Sequence, residues 1–147
     1  MEKRINIKEA EPQAYKAMLG LENYLAEVSL SKSLKELIKI RASQLNNCAY
    51  CIDMHSKEAL REGETAQRIF LLSAWKEAEQ FFTAEEQAAL AVTEEVTLIS
   101  QHGLSTAAYR NALEYFTENQ IAQIIMVVVT INAWNRIVVS THLRIGE

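Results

Sequence analysis

The sequence predicts an all-α fold, and three observations carry that expectation. Only 4 glycines and 1 proline interrupt 147 residues, so there are few points at which a chain of short strands could turn. Ala, Leu, Glu, Gln and Lys fill most windows, and these residues lose little freedom in a helix. Apolar residues recur three and four apart, and no stretch alternates apolar with polar side chains over a strand's length.

The elements follow in order. Residues 1–9 read as an irregular arm. Pro12 suits the first turn of a helix. Tyr15, Met18, Leu19, Leu21, Tyr24 and Leu25 then keep helical spacing over about 11–29, with Gly20 as a point where that helix can bend. Ser31 or Ser33 can cap a second helix, whose stripe is Leu34, Leu37, Ile38, Arg41, Ala42 and Leu45. Asn46-Asn47 ends it. A third helix covers about 49–62, and Gly63 supplies a left-handed stop. A fourth covers about 65–81, with Ile69, Leu72 and Trp75, and Phe82 near its end.

Thr83 followed by Glu86 is a capping box that opens a fifth helix through about Ser100, and Gly103 closes that region. Ser105 starts a short helix to about Tyr115. Thr117 with Gln120 forms a second capping box, and the last helix covers about 118–140. It is apolar on most sides, the pattern of a helix buried in the domain or between subunits. The run Val127-Val128-Val129 favours strands, but it sits inside this helical pattern behind a cap. No repeat, linker or low-complexity tract divides the chain, so one domain over 1–147 is expected.

Bulk properties exclude several function classes. The net charge is -4 and no Lys/Arg block occurs, which speaks against nucleic-acid binding. Met1-Glu2-Lys3-Arg4 is not followed by an apolar run, so no signal peptide is expected. The longest apolar run, Ile124 to Val129, is far shorter than the roughly 20 residues of a membrane span. The expectation is a soluble cytoplasmic protein.

The chemistry concentrates in Cys48-Ala49-Tyr50-Cys51-Ile52-Asp53-Met54-His55, which joins two helices and opens the second. The chain has only two cysteines, and a C-x-x-C in a cytosolic setting reads first as redox or metal chemistry. A cysteine at a helix N-terminus meets free N–H groups and the positive end of the macrodipole, which favours the reactive thiolate. Cys51 and His55, four apart, share a helix face, so an imidazole can take the thiol proton and later return one. Cys48, three residues before Cys51, can close a disulfide with it. His55 needs an orienting carboxylate. Glu36, among Leu34, Leu37 and Ile38, is one choice, and Asp53 is an alternative off the shared face.

Blander readings exist for each residue. The cysteines could be two buried hydrophobes. They could join His55 around zinc, with His102 or His142 as a distant fourth ligand, although neither belongs to a metal pair. Glu36 could be a surface residue on a Lys-rich helix. Tyr50 reads as a pocket or rim residue, and His102 as a helix C-terminal residue favoured by the dipole. Asn132, Arg136 and Ser140 line up on the last helix, either as its solvated edge or as a polar stripe at an interface or pocket wall.

Glu36 followed by Cys48-x-x-Cys51-x-x-x-His55 resembles the signature of the AhpD-like alkylhydroperoxidases, of the carboxymuconolactone decarboxylase superfamily. The motif-bearing match covers about 34–62. The resemblance implies a domain of six to seven helices that assembles as a homotrimer or hexamer. It implies reduction of organic hydroperoxides or related thiol-disulfide exchange, without cofactor or metal. It implies a Glu36–His55 proton relay, Cys51 as the attacking sulfur, Cys48 as the resolving one, and a lipoyl-bearing or thioredoxin-like dithiol as reductant. Some members carry a second His between the cysteines, where this chain has Tyr50. Relatives with decarboxylase activity lack the cysteine pair. A redox sensor or a zinc-stabilised scaffold would use the same thiols without turnover.

Overall fold

The computed structural model describes residue 2 and residues 4–146; Met1 and Lys3, part of the arm read as irregular, and Glu147 lie outside them. Among the described residues all regular structure is helical. The helices are α1 (Ile7–Ala10), α2 (Pro12–Glu27), α3 (Lys32–Leu45), α4 (Ala49–Arg61), α5 (Ala66–Leu71), α6 (Ala84–Thr97), α7 (Ile99–His102), α8 (Thr106–Leu113) and α9 (Glu118–Thr141). Six of the seven helical segments expected from the sequence form as α-helices, and the fourth does so only over its first part. α1 and α7 are additions of one turn each. α1 forms because the Asn6 side chain accepts the Lys8 N–H, so the arm is not irregular throughout. α2 runs unbroken through Gly20, and both capping boxes form as expected.

The segment expected as one helix over 65–81 is broken. After α5 it becomes two 3₁₀ stretches, Leu72–Glu77 and Glu79–Phe81, and Ala74 leaves helical geometry altogether. No Gly or Pro forces this. A 3₁₀ turn has three residues, so positions three apart stack on one face. Leu72, Trp75 and Ala78 have that spacing, and all three are buried. Packing against the core has overridden propensity here. Trp75 Nε1 donates to Glu94 on α6, and Arg68 donates to the Phe81 carbonyl, which fixes the stretch at both ends.

α3 is the helix on which the core is organised. Leu34 and Ile38 pack with Leu25 of α2, Val92 of α6, Phe116, and Ile124 and Val128 of α9. Leu37 and Ile40 face a second cluster with Leu72, Trp75 and Leu90. Ala42 joins Cys48, Cys51, Ile131 and Val138 in a third. Taken whole, α9 is long and apolar enough to span a membrane, which its longest unbroken apolar run did not register. Its Ile121, Ile124, Val127, Val128 and Ile131 are instead buried in these clusters.

Buried polar groups lock α9 to the end of α3. Asn46 Nδ2 donates to Asn132 Oδ1 at 3.0 Å and to Asn135 Oδ1 at 2.8 Å. Asn135 donates to Ser43, and Asn132 to Thr97. Arg136 donates to Asn132 Oδ1. Asn132 is therefore an internal anchor rather than a solvated edge. Replacing Asn135 by Ala removes one of the two bonds of Asn46 and the Asn135 donor to fully buried Ser43, so a loss of about 1–3 kcal/mol is expected in urea unfolding. An unchanged midpoint and slope would show that the network holds nothing together.

Candidate active site

The site begins with a turn. α3 ends as the chain enters left-handed geometry at Asn47, whose φ is 53°. Asn47 N–H bonds back to the Gln44 carbonyl and Cys48 N–H to the Ser43 carbonyl, at 3.2 and 3.0 Å. This double bond pattern satisfies the last carbonyls of a helix and reverses the chain sharply. Asn tolerates the left-handed region better than most residues, which explains the Asn pair. Cys48 is then the N-cap of α4, without a side-chain cap bond, and its carbonyl accepts the Ile52 N–H. Both sulfurs thus sit where the first-turn N–H groups of α4 are free of helix partners. Cys48 and Cys51 are joined by a disulfide, their Cα atoms 5.4 Å apart, and both are almost wholly buried.

One turn on, His55 meets Glu36. His55 Nδ1 lies 2.8 Å from Glu36 Oε2, and both side chains are buried. The other carboxylate oxygen accepts from Lys39 Nζ at 3.0 Å, one turn along α3. Burial opposes the charge on Glu36. The hydrogen bond from His55, the charges of His55 and Lys39, and the Lys39 hydrogen bond outweigh it and hold the carboxyl below its usual range. An ionised carboxylate only accepts, so His55 donates through Nδ1–H. That leaves Nε2 as the nitrogen able to exchange a proton.

Cys51 and His55 open onto a cavity of about 700 Å³, a size suited to a small organic molecule. Tyr50, Met54, Ile131, Trp134 and Tyr15 supply apolar walls. Tyr15 and Trp134 meet edge to face with centroids 5.7 Å apart, and Trp134 Nε1 donates to Glu22 on α2. The arm at 4–8 and the tail at 141–144 form the rim. Arg4 ties the two together by donating to the Ser140 carbonyl at 2.8 Å. Cys48 does not line the cavity.

The profile of the carboxymuconolactone decarboxylase family matches residues 12–95, more than half of the chain, and includes the turn, both cysteines, His55 and Glu36. The chain belongs to this family. It is an AhpD-like member. It is 40% identical to the uncharacterized protein YdfG of Bacillus subtilis over 144 residues, 98% of this chain and 97% of that one. A crystal structure of a protein of unknown function from Agrobacterium tumefaciens, provisionally assigned as the antioxidant defence protein AhpD, superposes with a TM-score of 0.95. It is 37% identical and covers 99% of both chains. The debrominase Bmp8, whose structure was also determined with 2,3,4-tribromopyrrole, has a TM-score of 0.83 at 20% identity, covering 93% of this chain and 73% of that one. At that identity it shows the fold alone.

Of the residues singled out from the sequence, the AhpD-like fold brings Glu36, Cys48, Cys51 and His55 to one place. Tyr50 lines the cavity as expected. Asp53 is not the orienter: it pairs with Lys57 on the surface at 2.8 Å. His102 sits at the end of α7 with Nδ1 near the Gly103 carbonyl, and His142 lies on the cavity rim. Among the described residues no three His, Cys, Asp or Glu side chains form a group able to hold a metal ion. Sequence reasoning missed Lys39, although its spacing from Glu36, three residues on one helix, carried the signal.

Glu36 has a counterpart in Glu94. Burial opposes its charge too, but hydrogen bonds from Lys76, Trp75 and Arg41 hold its carboxyl below the usual range. A carboxyl whose pKa is depressed on folding contributes stability above its unfolded value, about 4.5, that is lost as pH falls through the folded one. Thermal unfolding temperature should therefore fall steadily below about pH 4.5. Glu94→Gln should shallow that fall while lowering stability at pH 7. Parallel curves for the two proteins would remove Glu94 from the acid response.

Proposed function

We propose that the protein is a thiol-dependent peroxidase that reduces organic hydroperoxides by cycling Cys48 and Cys51 between dithiol and disulfide. One observation carries the reading: Cys51 and His55 open on the same cavity while His55 is held by buried, ionised Glu36. In the reduced protein, His55 Nε2 takes the proton of Cys51. The thiolate attacks the outer peroxide oxygen, the O–O bond breaks, and Cys51 becomes a sulfenic acid. The departing alkoxide takes the proton back from His55 and leaves as an alcohol. Cys48 then attacks the Cys51 sulfur, and water leaves as the disulfide forms. The two electrons gained by the peroxide have come from the two sulfurs. An external dithiol, of the lipoyl or thioredoxin type, attacks the disulfide and restores both thiols.

Several features support the assignment of roles. Only Cys51 of the two sulfurs lines the cavity, which suits it to attack and Cys48 to resolve. The N-terminus of α4 favours thiolate at both. Lys39 acts as a positioning residue that keeps Glu36 charged, and through it keeps the His55 ring in one tautomer. The cysteine pair argues against lactone decarboxylation, since it has no part in that reaction. Steady turnover separates the enzyme from a redox sensor with the same thiols. Assembly as a homotrimer or hexamer belongs to this reading, and half-exposed Ile99 and Val129 on adjoining helices suit it. A 16.7 kDa species in light scattering would defeat that part.

Cys51→Ser should abolish hydroperoxide-dependent oxidation of a dithiol, and Cys48→Ser should stop after one turnover with a trappable sulfenic acid at Cys51. Normal steady turnover by the Cys51 variant would refute the mechanism. His55→Ala should slow turnover by about 100-fold or more with the fold intact. Lys39→Met should move the acid limb of the rate profile to higher pH, because Glu36 loses a cation and protonates sooner. Lys39→Arg should restore the limb. A uniform drop in rate without that movement would leave Lys39 a packing residue.

A further inference from the structure

The cavity over Cys51 is not electrically neutral. Among the described residues its rim carries Arg4, Lys8 and Arg144, against one carboxylate, Glu22. Arg4 and Lys8 alone outnumber that one carboxylate, on a chain whose net charge is -4. The cations come from the two ends of the chain, and the Arg4 bond to Ser140 holds the ends together. That bond uses one of the five N–H donors of the guanidinium. The Lys8 ammonium lies 5.8 Å from the centroid of the Tyr15 ring, over the apolar wall. Glu22 is turned to Trp134, whose indole N–H occupies one of its oxygens. Positive charge at the mouth, an apolar body and a reactive floor form a gradient from rim to sulfur.

We propose that this cavity binds an amphipathic carboxylate, an acyl or aryl chain whose anionic end is held by Arg4 and Lys8 and whose apolar body lies against Tyr15 and Trp134. An Arg fork matches a carboxylate geometrically, and charge-assisted bonds to it are the stronger kind. The volume accommodates such a molecule with its far end at Cys51 and His55. In the peroxidase reading, on which this assignment of the reacting end rests, the substrate is a hydroperoxide bearing a carboxylate remote from its peroxide group. Capture of the anion does not depend on that chemistry.

The test is binding, with no turnover in any arm. Calorimetry on the disulfide form compares decanoate, decan-1-ol and decylamine. Decanoate should bind about tenfold more tightly than the alcohol, the worth of one charge-assisted bond, and the amine more weakly than either. The advantage of decanoate should shrink as salt is raised. In the double variant Arg4→Gln/Lys8→Gln, decanoate should bind like the alcohol. In reduced protein, decanoate should protect Cys51 from iodoacetamide, read by peptide mass spectrometry, which locates the ligand over the sulfur. Equal affinities for the three probes, or unprotected Cys51, would overturn the proposal from the wild-type protein alone. Undiminished decanoate binding by the variant would do so as well. A protein inert to hydroperoxides that still prefers decanoate in this way keeps the anion site and loses only the peroxidase reading.

Discussion

A carboxylate taken out of water must be answered by donors, and Glu36 is answered twice. His55 takes one oxygen and Lys39 the other. Much of the site's geometry follows from that requirement. Glu36 lies on α3, the helix whose other faces supply side chains to all three core clusters. It cannot shift without disturbing the packing of Leu37 and Ile38 on either side. α4 must therefore run where its second turn offers His55 to that fixed oxygen. The first turn of α4, and the sulfurs on it, follow from the same register. A site carried by rigid, packed helices is held more tightly than one on a loop.

The same physics recurs away from the sulfurs. Arg41, Trp75 and Lys76 converge on Glu94, and Glu64 and Glu86 converge on Arg68. Hydrogen bonds donated to Glu86 and Glu64 hold the Arg68 guanidinium firmly protonated against partial burial. Both clusters brace the 3₁₀ stretch between α5 and α6. Buried charge costs free energy wherever it is placed, so it is used here where helical propensity does not decide the path. Ring stacking against cations adds to this at Phe82 and Trp75.

Legibility in the sequence followed the range of each interaction. Caps read well because they are local: Thr83, Ser105 and Thr117 cap where their spacing promised, and of the two candidates Ser31 and Ser33 it is Ser31 that caps α3. Cys51 and His55 stand four apart on α4, a spacing that puts them on one face, and both line the cavity. The 65–81 segment did not, because Leu72, Trp75 and Ala78 answer to a surface formed by α3 and α6, distant in sequence. Asn132 was ambiguous for the same reason: its partners, Asn46 and Thr97, lie 86 and 35 residues away. The orientation of Glu36 rested on the family pattern rather than on any local signal. The cavity was the least visible feature, since its rim joins residues near 4 to residues near 144, and no short-range pattern encodes such a meeting.

Cys48 closes α3 with its amide and opens α4 with its carbonyl. Its main chain is fully employed by architecture, and only its sulfur is left to chemistry. Scaffold and reactivity are thereby uncoupled at a single position. Because those bonds are made by main-chain atoms, a different side chain at position 48 leaves the bend as it is. That separability suits a helical frame reused for unlike reactions.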